Sequence, residues 1–431
     1  MLRTLPIAGL LALASIASAQ GPPVTLTLTL QDALQRARAN SQQLLSADLA
    51  ARIAHEDRVQ ARAALLPSLN WENGFIYTQP NGTSSGVFVP NDGPRLYTNM
   101  ASAHADVYSP GKRADYQMTI AAEAVARARV EIAQRGLAAT VVQNYYAMVT
   151  AQRHMAHAQR GLREATQFLD VTRKQEAGGE AAHADVVKAQ IEANTRQSDL
   201  REAQLAIDKA RIGFAVYLFP DFRQDFAVVD DLDQIAVLPA FPELEALAQK
   251  NNPDIRAAQA TVTQGSYGIK SARAGLLPTL TLDYFYGIQA NQYALHNEAG
   301  DRLLGSSVVA GLSVPVWNWG ATRSRVKQAE LRLEQAKVDL TYTQRQLLAN
   351  LNGFYLEAAT ASTQISALKQ SLDLAEESLQ LTILRYEAGE ATVLEVVDAQ
   401  RTALDARNAY DDGKARYRIA LAALQTLTGA F

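Results

Sequence analysis

The chain has 431 residues, of which 41 are basic and 44 acidic, so its formal net charge is −3 at pH 7. Nucleic acids are bound by strongly basic surfaces, and this balance gives no reason to expect one as a partner. The chain has no cysteine. Disulfide bonds and thiolate metal sites are therefore excluded, and the fold must be stabilised by packing.

The N-terminus has the pattern of a secretory signal peptide over residues 1–19. Arg3 provides a basic start, residues 5–16 form an apolar run, and Ala17-Ser18-Ala19 has the small-residue pattern of a cleavage site. The run is too short to span a bilayer, and no later segment holds about 18 consecutive apolar residues. We therefore expect an exported protein that does not cross a membrane as helices.

The rest of the chain contains a long internal sequence repeat. Residues 61–67, Ala-Arg-Ala-Ala-Leu-Leu-Pro, return as Ala-Arg-Ala-Gly-Leu-Leu-Pro at residues 272–278, a shift of 272 − 61 = 211. Glu-Ala-Gly at residues 176–178 returns at residues 387–389 with the same shift. A repeat of this size indicates one structural unit that occurs twice. The predicted divisions are a first repeat at 20–219, an equatorial linker at 220–241 and a second repeat at 242–431.

Each repeat opens with a helical pattern, at residues 30–66 and 241–277. The pattern is interrupted at Asn40-Ser41 in the first repeat and at Asn251-Asn252-Pro253 in the second. Pro67 and Pro278 follow, and we expect them to end the helices because proline cannot continue the backbone hydrogen bonding.

Four strand-like stretches come next, two in each repeat. Apolar residues alternate with small or polar ones near residues 69–77, 101–107, 280–288 and 307–314, and a Gly/Asn-rich loop separates the two stretches of each pair. Strands of about ten residues with this alternation suit a membrane β-barrel. A water-soluble antiparallel sheet with one buried face would show the same pattern, so the strands alone leave both readings open.

Long helical patterns fill the remainder of each repeat. There is no proline between Pro110 and Pro220 or after Pro315, and apolar residues recur at heptad spacing. Each run is interrupted by glycine, at Gly178-Gly179 and at Gly389, which predicts two helical hairpins packed as coiled coils. The first arm would be roughly 95 Å long.

Four strands are too few to close a barrel, since the smallest transmembrane barrels have about eight. Open strand edges cannot face lipid, where every backbone group needs a partner. Either the strands form a soluble sheet, or several copies of the chain close one barrel together.

The residues resemble the TolC-like outer-membrane efflux proteins of Gram-negative bacteria over essentially the whole mature chain. The resemblance rests on the duplicated Ala-Arg-Ala-x-Leu-Leu-Pro junction and on the turn at residues 385–392, Arg-Tyr-Glu-Ala-Gly-Glu-Ala-Thr. It implies a homotrimer in which three copies of four strands form a 12-stranded barrel in the outer membrane. A long α-helical coiled-coil barrel would continue it through the periplasm, with an equatorial region around the linker.

The resemblance also implies a gate near the hairpin turns. Glu395 and Asp398 would point into the lumen at the closed periplasmic end, where three copies would form a ring that attracts cations and whose crowding raises some carboxyl pKa values. Without the resemblance, a solvated helix face is the simpler reading of this pair. Tyr386 and Asp185 match a hydrogen-bonded pair that holds the tunnel shut, whereas a second family contact maps to alanines and is absent.

Other implied positions lie at the two ends of the molecule. A periplasmic adaptor protein would dock at the hairpin tips, near Gly178, Gly179, Ala388 and Gly389, and would connect the duct to an inner-membrane transporter of the RND, ABC or MFS type. Within the barrel, the lumen would be lined by Glu72, His104, Asp106 and Asp283. Aromatic side chains on the opposite strand positions would face outer-membrane lipid, or alternatively protein in a soluble sheet.

These observations predict a passive export duct of a tripartite efflux or type I secretion system, with no enzymatic activity and no cofactor. A periplasmic coiled-coil scaffold without a channel is the alternative. His154 and His157 are spaced to share one helix face, but no third ligand accompanies them, so we expect solvated residues and not a metal site.

Overall fold

The structure is a computed structural model that describes residues 26–78, 95–234 and 236–429. The predicted signal peptide and most of the first interstrand loop lie outside the described residues. The first half contains β1 (Leu26–Leu28), α1 (Leu30–Asn40), α2 (Gln42–Ala63), β2 (Ser68–Tyr77), β3 (Arg95–Tyr108), α3 (Pro110–Gly178) and α4 (His183–Leu218). The second contains β4 (Phe226–Val228), α5 (Phe241–Asn251), α6 (Pro253–Ala274), β5 (Thr279–Ala290), β6 (Leu304–Ser313), α7 (Ala321–Glu387) and α8 (Val393–Thr428). Both halves have the same order of elements.

The short opening helices break where the sequence predicts, and a polar side chain caps each new start. The Ser41 hydroxyl accepts a hydrogen bond from the Leu44 amide at 3.2 Å, and the Asn252 side chain accepts from the Asp254 amide at 2.9 Å. The C-terminal ends of α2 and α6 come earlier than predicted. α2 and α6 stop at Ala63 and Ala274, and a single turn precedes each proline. The physical reason is that proline disfavours helical geometry in the residue before it.

The main sheet is antiparallel, with strand order β2-β3-β5-β6. Its centre is the pairing of β3 with β5, which joins the two repeats. Within the part of the chain that the structure describes, β2 and β6 each pair on one side only, so the sheet is open and no barrel is closed within one chain. A second sheet pairs β1 with β4 in parallel and ties the start of the first repeat to the linker.

The helices next to the sheet continue its order. α2 packs against α3, α3 against α6, and α6 against α7. These helices directly precede or follow β2, β3, β5 and β6, respectively. The strand layer and the helical layer therefore form one continuous wall with the same sequence of neighbours.

Two long hairpins extend from this wall. α3 has 69 residues and α7 has 67, and each turns back into a helix of 36 residues. α8 packs against α7 within its own hairpin and against α3 of the other hairpin. Between the wall and the tips lies a core built from α1, α3, α4, β4 and the linker. Among the described helices, none has both the length and the apolar character needed to cross a membrane.

We expect Gly287→Ala to destabilise the sheet. Gly287 lies between Met100 and Gly305 in the strand register, and a methyl group there would overlap the backbone of Asn99 and Met100. Forced overpacking costs about 1–3 kcal/mol, so the midpoint of urea denaturation should fall. Gly305→Ala is the matched control, because its methyl group would meet nothing within 4 Å. Equal midpoints for the two variants would contradict this account.

Candidate functional site

One face of the main sheet carries the polar residues predicted to line a lumen. The strand register places Glu72, His104, Asp106 and Asp283 on the same face, because His104 lies opposite Asp283 and residues two apart share a face. The structure brings three of them together. The His104 Nδ1 atom lies 2.6 Å from Asp283 Oδ1, and its Nε2 atom lies 3.5 Å from Asp106 Oδ2.

Two partners of this polar face were not predicted. Lys112, in the first turn of α3, forms an ion pair with Asp106. Glu72 lies apart from the histidine cluster, and its Oε1 atom accepts a hydrogen bond from the Ser102 hydroxyl at 3.1 Å. This face therefore carries carboxylates with a basic side chain, Lys112, close to one of them.

The opposite face of the sheet is apolar and uncovered. Leu69 is 81% exposed and Leu312 is 68% exposed, although both lie within strands. Seven further large side chains on this face are also exposed: Trp71, Phe75, Tyr77, Leu282, Tyr284, Tyr286 and Val308. A soluble monomer rarely exposes an apolar surface of this extent, which marks a contact with protein or membrane.

The segment after β6 adds an aromatic pair that the sequence analysis missed. Trp317 and Trp319 stack edge to face at 5.9 Å between ring centroids, and Trp319 is 89% exposed. The segment then turns into α7 through Gly320, whose φ of 82° places it in the left-handed region. The sequence signal was available, since two tryptophans follow Pro315 within four residues.

The hairpin tips are short and small in side-chain volume. Gly179, directly after α3, has a φ of 80°, and Gly389, two residues after α7, has a φ of 78°. Both favour glycine because a side chain disfavours that region. Gly178 and Ala388, the other predicted docking residues, are exposed beside them.

Glu395 and Asp398 lie on the exposed face of α8, as their spacing predicts. Glu395 also has a structural role. Its carboxylate accepts hydrogen bonds from the Thr392 backbone amide at 3.2 Å and from the Thr392 hydroxyl at 3.0 Å, and the hydroxyl accepts from the Glu395 amide. Within one chain these bonds lower the pKa of Glu395. The Thr-x-x-Glu signature was readable in the sequence.

The hydrogen bond predicted between Tyr386 and Asp185 is absent from the contacts of the described residues. The Tyr386 hydroxyl instead donates to Thr172 Oγ1 at 3.3 Å, and its ring packs edge to face on Phe168 with centroids 4.9 Å apart. Asp185 lies in the first turn of α4, where its carboxylate is 3.6 Å from Lys188 Nζ. Tyr386 and Thr172 are both buried, and the Tyr386 ring packs between the hairpins.

A larger ionic network lies at the linker. We call Arg153, Asp230, Asp233, Asp411 and Lys414 the equatorial charge cluster. Arg153 donates to Asp230 at 2.6 Å, to Asp233 at 2.8 Å and to Asp411 at 2.7 Å. Lys414, which is 2% exposed, donates to Asp233 at 2.7 Å. The cluster therefore ties the linker to α3 and α8.

The two histidines of α3 contact carboxylates. His157 Nε2 lies 2.9 Å from Asp411 Oδ2, and His154 Nε2 lies 3.1 Å from Asp412 Oδ1. The hydrogen bond with Asp412 raises the pKa of His154. Within residues 26–78, 95–234 and 236–429, no three His, Asp or Glu side chains are arranged to hold a metal ion.

A second ionic network lies between the hairpins, nearer the tips, and Arg407 is its buried member. We call Arg160, Glu164, Glu376 and Arg407 the Arg407 cluster. Arg407 Nε donates to Glu376 Oε1 at 2.8 Å, and its two terminal nitrogens donate to the two oxygens of Glu164 at 3.1 Å each. Arg160 donates to the same two carboxylates. No motif in the sequence marks any of these residues.

Comparison with known proteins gives consistent matches along both halves. The family described as outer membrane efflux protein matches residues 33–218 and 244–430. The chain is 25% identical over 409 residues to the outer membrane protein TolC of Vibrio cholerae, covering 92% of this chain and 89% of that protein. It is 24% identical over 397 residues to the proteases secretion protein PrtF of Dickeya chrysanthemi, with coverages of 90% and 85%. The crystal structure of the outer membrane protein VceC from Vibrio cholerae superposes with a TM-score of 0.82 at 19% identity, over 93% of this chain and 96% of that one.

Asp411→Asn should destabilise the protein markedly. Burial acts to raise the pKa of Asp411, but hydrogen bonds from His157, Lys414 and Arg153 outweigh it and hold that pKa well below its usual range. Removing one partner of a buried pair costs about 3–5 kcal/mol, so the urea midpoint at pH 7 should fall. Asp412→Asn is the matched control, because the Asp412 carboxylate is more than half exposed.

The pH dependence checks the same contact. A depressed pKa in the folded state contributes stability that is present above the unfolded-state value of about 3.9 and is lost as pH falls further. The wild-type urea midpoint should therefore decrease below about pH 4, and the decrease should be shallower in Asp411→Asn. Identical slopes would contradict the assignment.

Proposed function

Because the chain belongs to the outer membrane efflux protein family and is an outer-membrane protein with a periplasmic helical part, we propose that it forms the homotrimeric exit duct of an export system. The duct carries its cargo passively, and the energy comes from an inner-membrane transporter. The TolC-like resemblance of the whole chain agrees with this family, which is a family of outer-membrane efflux and secretion proteins.

The open sheet is the observation that carries the proposal. A four-stranded sheet with two free edges, one polar face and one exposed apolar face is incomplete in water and in lipid alike. If β6 of one copy pairs with β2 of the next, three copies give 3 × 4 = 12 strands without any free edge. The polar face then lines the lumen and the apolar face contacts lipid.

The helices support the same closure. None of the residues of α2, all of which are described, is buried, and its apolar side chains Leu45, Leu49, Ile53 and Val59 are exposed. At the other edge α7 exposes Leu331, Val338, Tyr342 and Leu356. Since α2 and α7 adjoin the two edge strands, the contact between strands continues as a contact between helices, and cyclic closure buries both apolar stripes.

The hairpin tips are the proposed docking site of a periplasmic adaptor protein, which connects the duct to an RND, ABC or MFS transporter. Gly178, Gly179, Ala388 and Gly389 support this role because small exposed residues allow a partner helix to approach closely. The match to the family in two segments supports the proposal that the two repeats arose by duplication.

Reconstitution tests the duct directly. Purified wild-type trimers added to a planar lipid bilayer should insert and give discrete conductance steps. Fractionation should recover the protein in the detergent-extracted outer membrane as a trimer. Protein that washes free of the membrane and gives no conductance would overturn the proposal and favour a periplasmic scaffold.

Asp398→Asn tests the proposed acidic ring. Three copies of Glu395 and Asp398 around a narrow axis would bind a trivalent cation, so cobalt hexammine on the periplasmic side should block conductance. The variant should need about tenfold more cation for half-block, since each copy loses a charge. Asp398 is preferable to Glu395, whose loss would also remove the helix cap. Asp405→Asn, an exposed carboxylate on the same helix, should leave the block unchanged.

A further inference from the structure

The contact between the two hairpins is mostly apolar near the tips. Phe168, Val186, Tyr386 and Val396 belong to one buried cluster there, and its hydrogen bond from Tyr386 to Thr172 joins two neutral groups. Apolar contacts are not directional, so they hold the hairpins together without fixing one relative position. A directional contact is needed for that.

Arg407 provides such a contact. Its side chain is 2% exposed, and all three guanidinium nitrogens donate to carboxylate oxygens. The bond to Glu164 is bidentate, a geometry that constrains both distance and orientation. Burial acts to raise the pKa of Glu376, but hydrogen bonds from Arg407 and Arg160 outweigh it and lower that pKa, so the carboxylate remains charged.

The members of the Arg407 cluster come from both hairpins. Arg160 and Glu164 lie on α3, whereas Glu376 lies on α7 and Arg407 on α8. Glu164 precedes the last residue of α3 by 178 − 164 = 14 residues, so the cluster lies about 21 Å above the tip. Any movement of the second hairpin away from α3 must therefore break the bidentate bond between Arg407 and Glu164.

Gln400, in contrast to Arg407, destabilises the packed hairpins. It lies two turns along α8 from Arg407 toward the tip and is only 4% exposed. Neither its amide nitrogen nor its amide oxygen has a hydrogen-bond partner among the described residues. A buried amide without partners destabilises the packed arrangement. The ion pairs of Arg407 thus stabilise the packed hairpins, and the unpartnered amide of Gln400 destabilises them.

We propose that Arg407 is the residue that holds the duct shut, by fixing the second hairpin against α3 through Glu164. This rests on the proposed export duct, and it assigns the closing contact to residues of one chain, of which Arg407 is buried. The cluster takes the place of the hydrogen bond between Tyr386 and Asp185, which the structure does not contain. Gln400 keeps the closed arrangement from being too stable to open.

Arg407→Met tests the proposal in planar bilayers, with the wild-type trimer as reference. Glu164 and Glu376 keep Arg160 as a partner, so the variant retains part of the network. We expect the fraction of time in the high-conductance state to rise about tenfold or more, because breaking a buried ion pair is strongly unfavourable. Arg416→Met is the matched control. It removes an α8 arginine whose carboxylate partner, Glu357, lies on α7 of the same hairpin, so the conductance should not change.

Gln400→Leu should shift the gate the other way. Leucine removes the unsatisfied amide at similar volume, which stabilises the packed hairpins, and the high-conductance fraction should fall below the wild-type value. Opposite shifts in Arg407→Met and Gln400→Leu support the proposal. A general loosening of the protein would not produce a decrease in either variant.

Two results would overturn the assignment. The first is an assembled Arg407→Met trimer that conducts as the wild type does. If that variant fails to assemble, the triple variant Glu164→Gln/Glu376→Gln/Arg407→Met removes Arg407 together with both of its carboxylate partners. Wild-type conductance from the triple variant is the second result. Failure of the duct itself is distinguishable, because the wild type would then give no conductance steps at all.

Discussion

The unsatisfied edges of the main sheet constrain the rest of the structure. Backbone groups on the outer sides of β2 and β6 need partners, and one apolar face of the sheet needs a non-aqueous surrounding. Both requirements are met when copies of the chain pair edge to edge within a membrane. The proposed pairing would also bring the helices next to the edge strands together, and α2, which buries none of its residues within a single chain, would gain a partner.

Interactions between the hairpins weaken from the linker toward the tips. At the equator, the five members of the equatorial charge cluster and the pair of Arg418 with Asp231 fix the linker to α3 and α8. Farther down, the four-residue Arg407 cluster is the directional contact. At the tips, the described residues of the two hairpins share a single side-chain hydrogen bond, between the neutral hydroxyls of Tyr386 and Thr172. Since neutral bonds are weaker than charged ones, motion of the hairpins is easiest at the tips and hardest at the equator.

The sequence predicted the periodic features and missed the long-range ones. Breaks at Ser41 and Asn252 and the alternation along β5 are local patterns, so they were readable. The early end of α2 at Ala63 reflects the geometry before proline. Within one chain the Tyr386 hydroxyl donates to Thr172, which lies 214 residues away, and no local pattern points to that partner. Arg153 and Asp411 are 258 residues apart, and no spacing rule connects such residues.

The two repeats differ at the hairpin tips, in the charges and in the helix caps at the starts of α4 and α8. In the first repeat Lys188 lies 3.6 Å from Asp185 and offsets its charge, whereas Asp398 occupies the position of Lys188 in the second. α8 begins with a capping box at Thr392, but α4 begins at Ala182 without a side-chain cap. A fixed cap holds the first turn of α8 and with it the two carboxylates. The acidic pair therefore lies on the better-anchored helix. Arg385 Nη1 lies 3.7 Å from Glu395, as Lys188 lies close to Asp185, so Asp398 is the carboxylate that distinguishes the second repeat. A fixed position of the two carboxylates is what the proposed acidic ring requires.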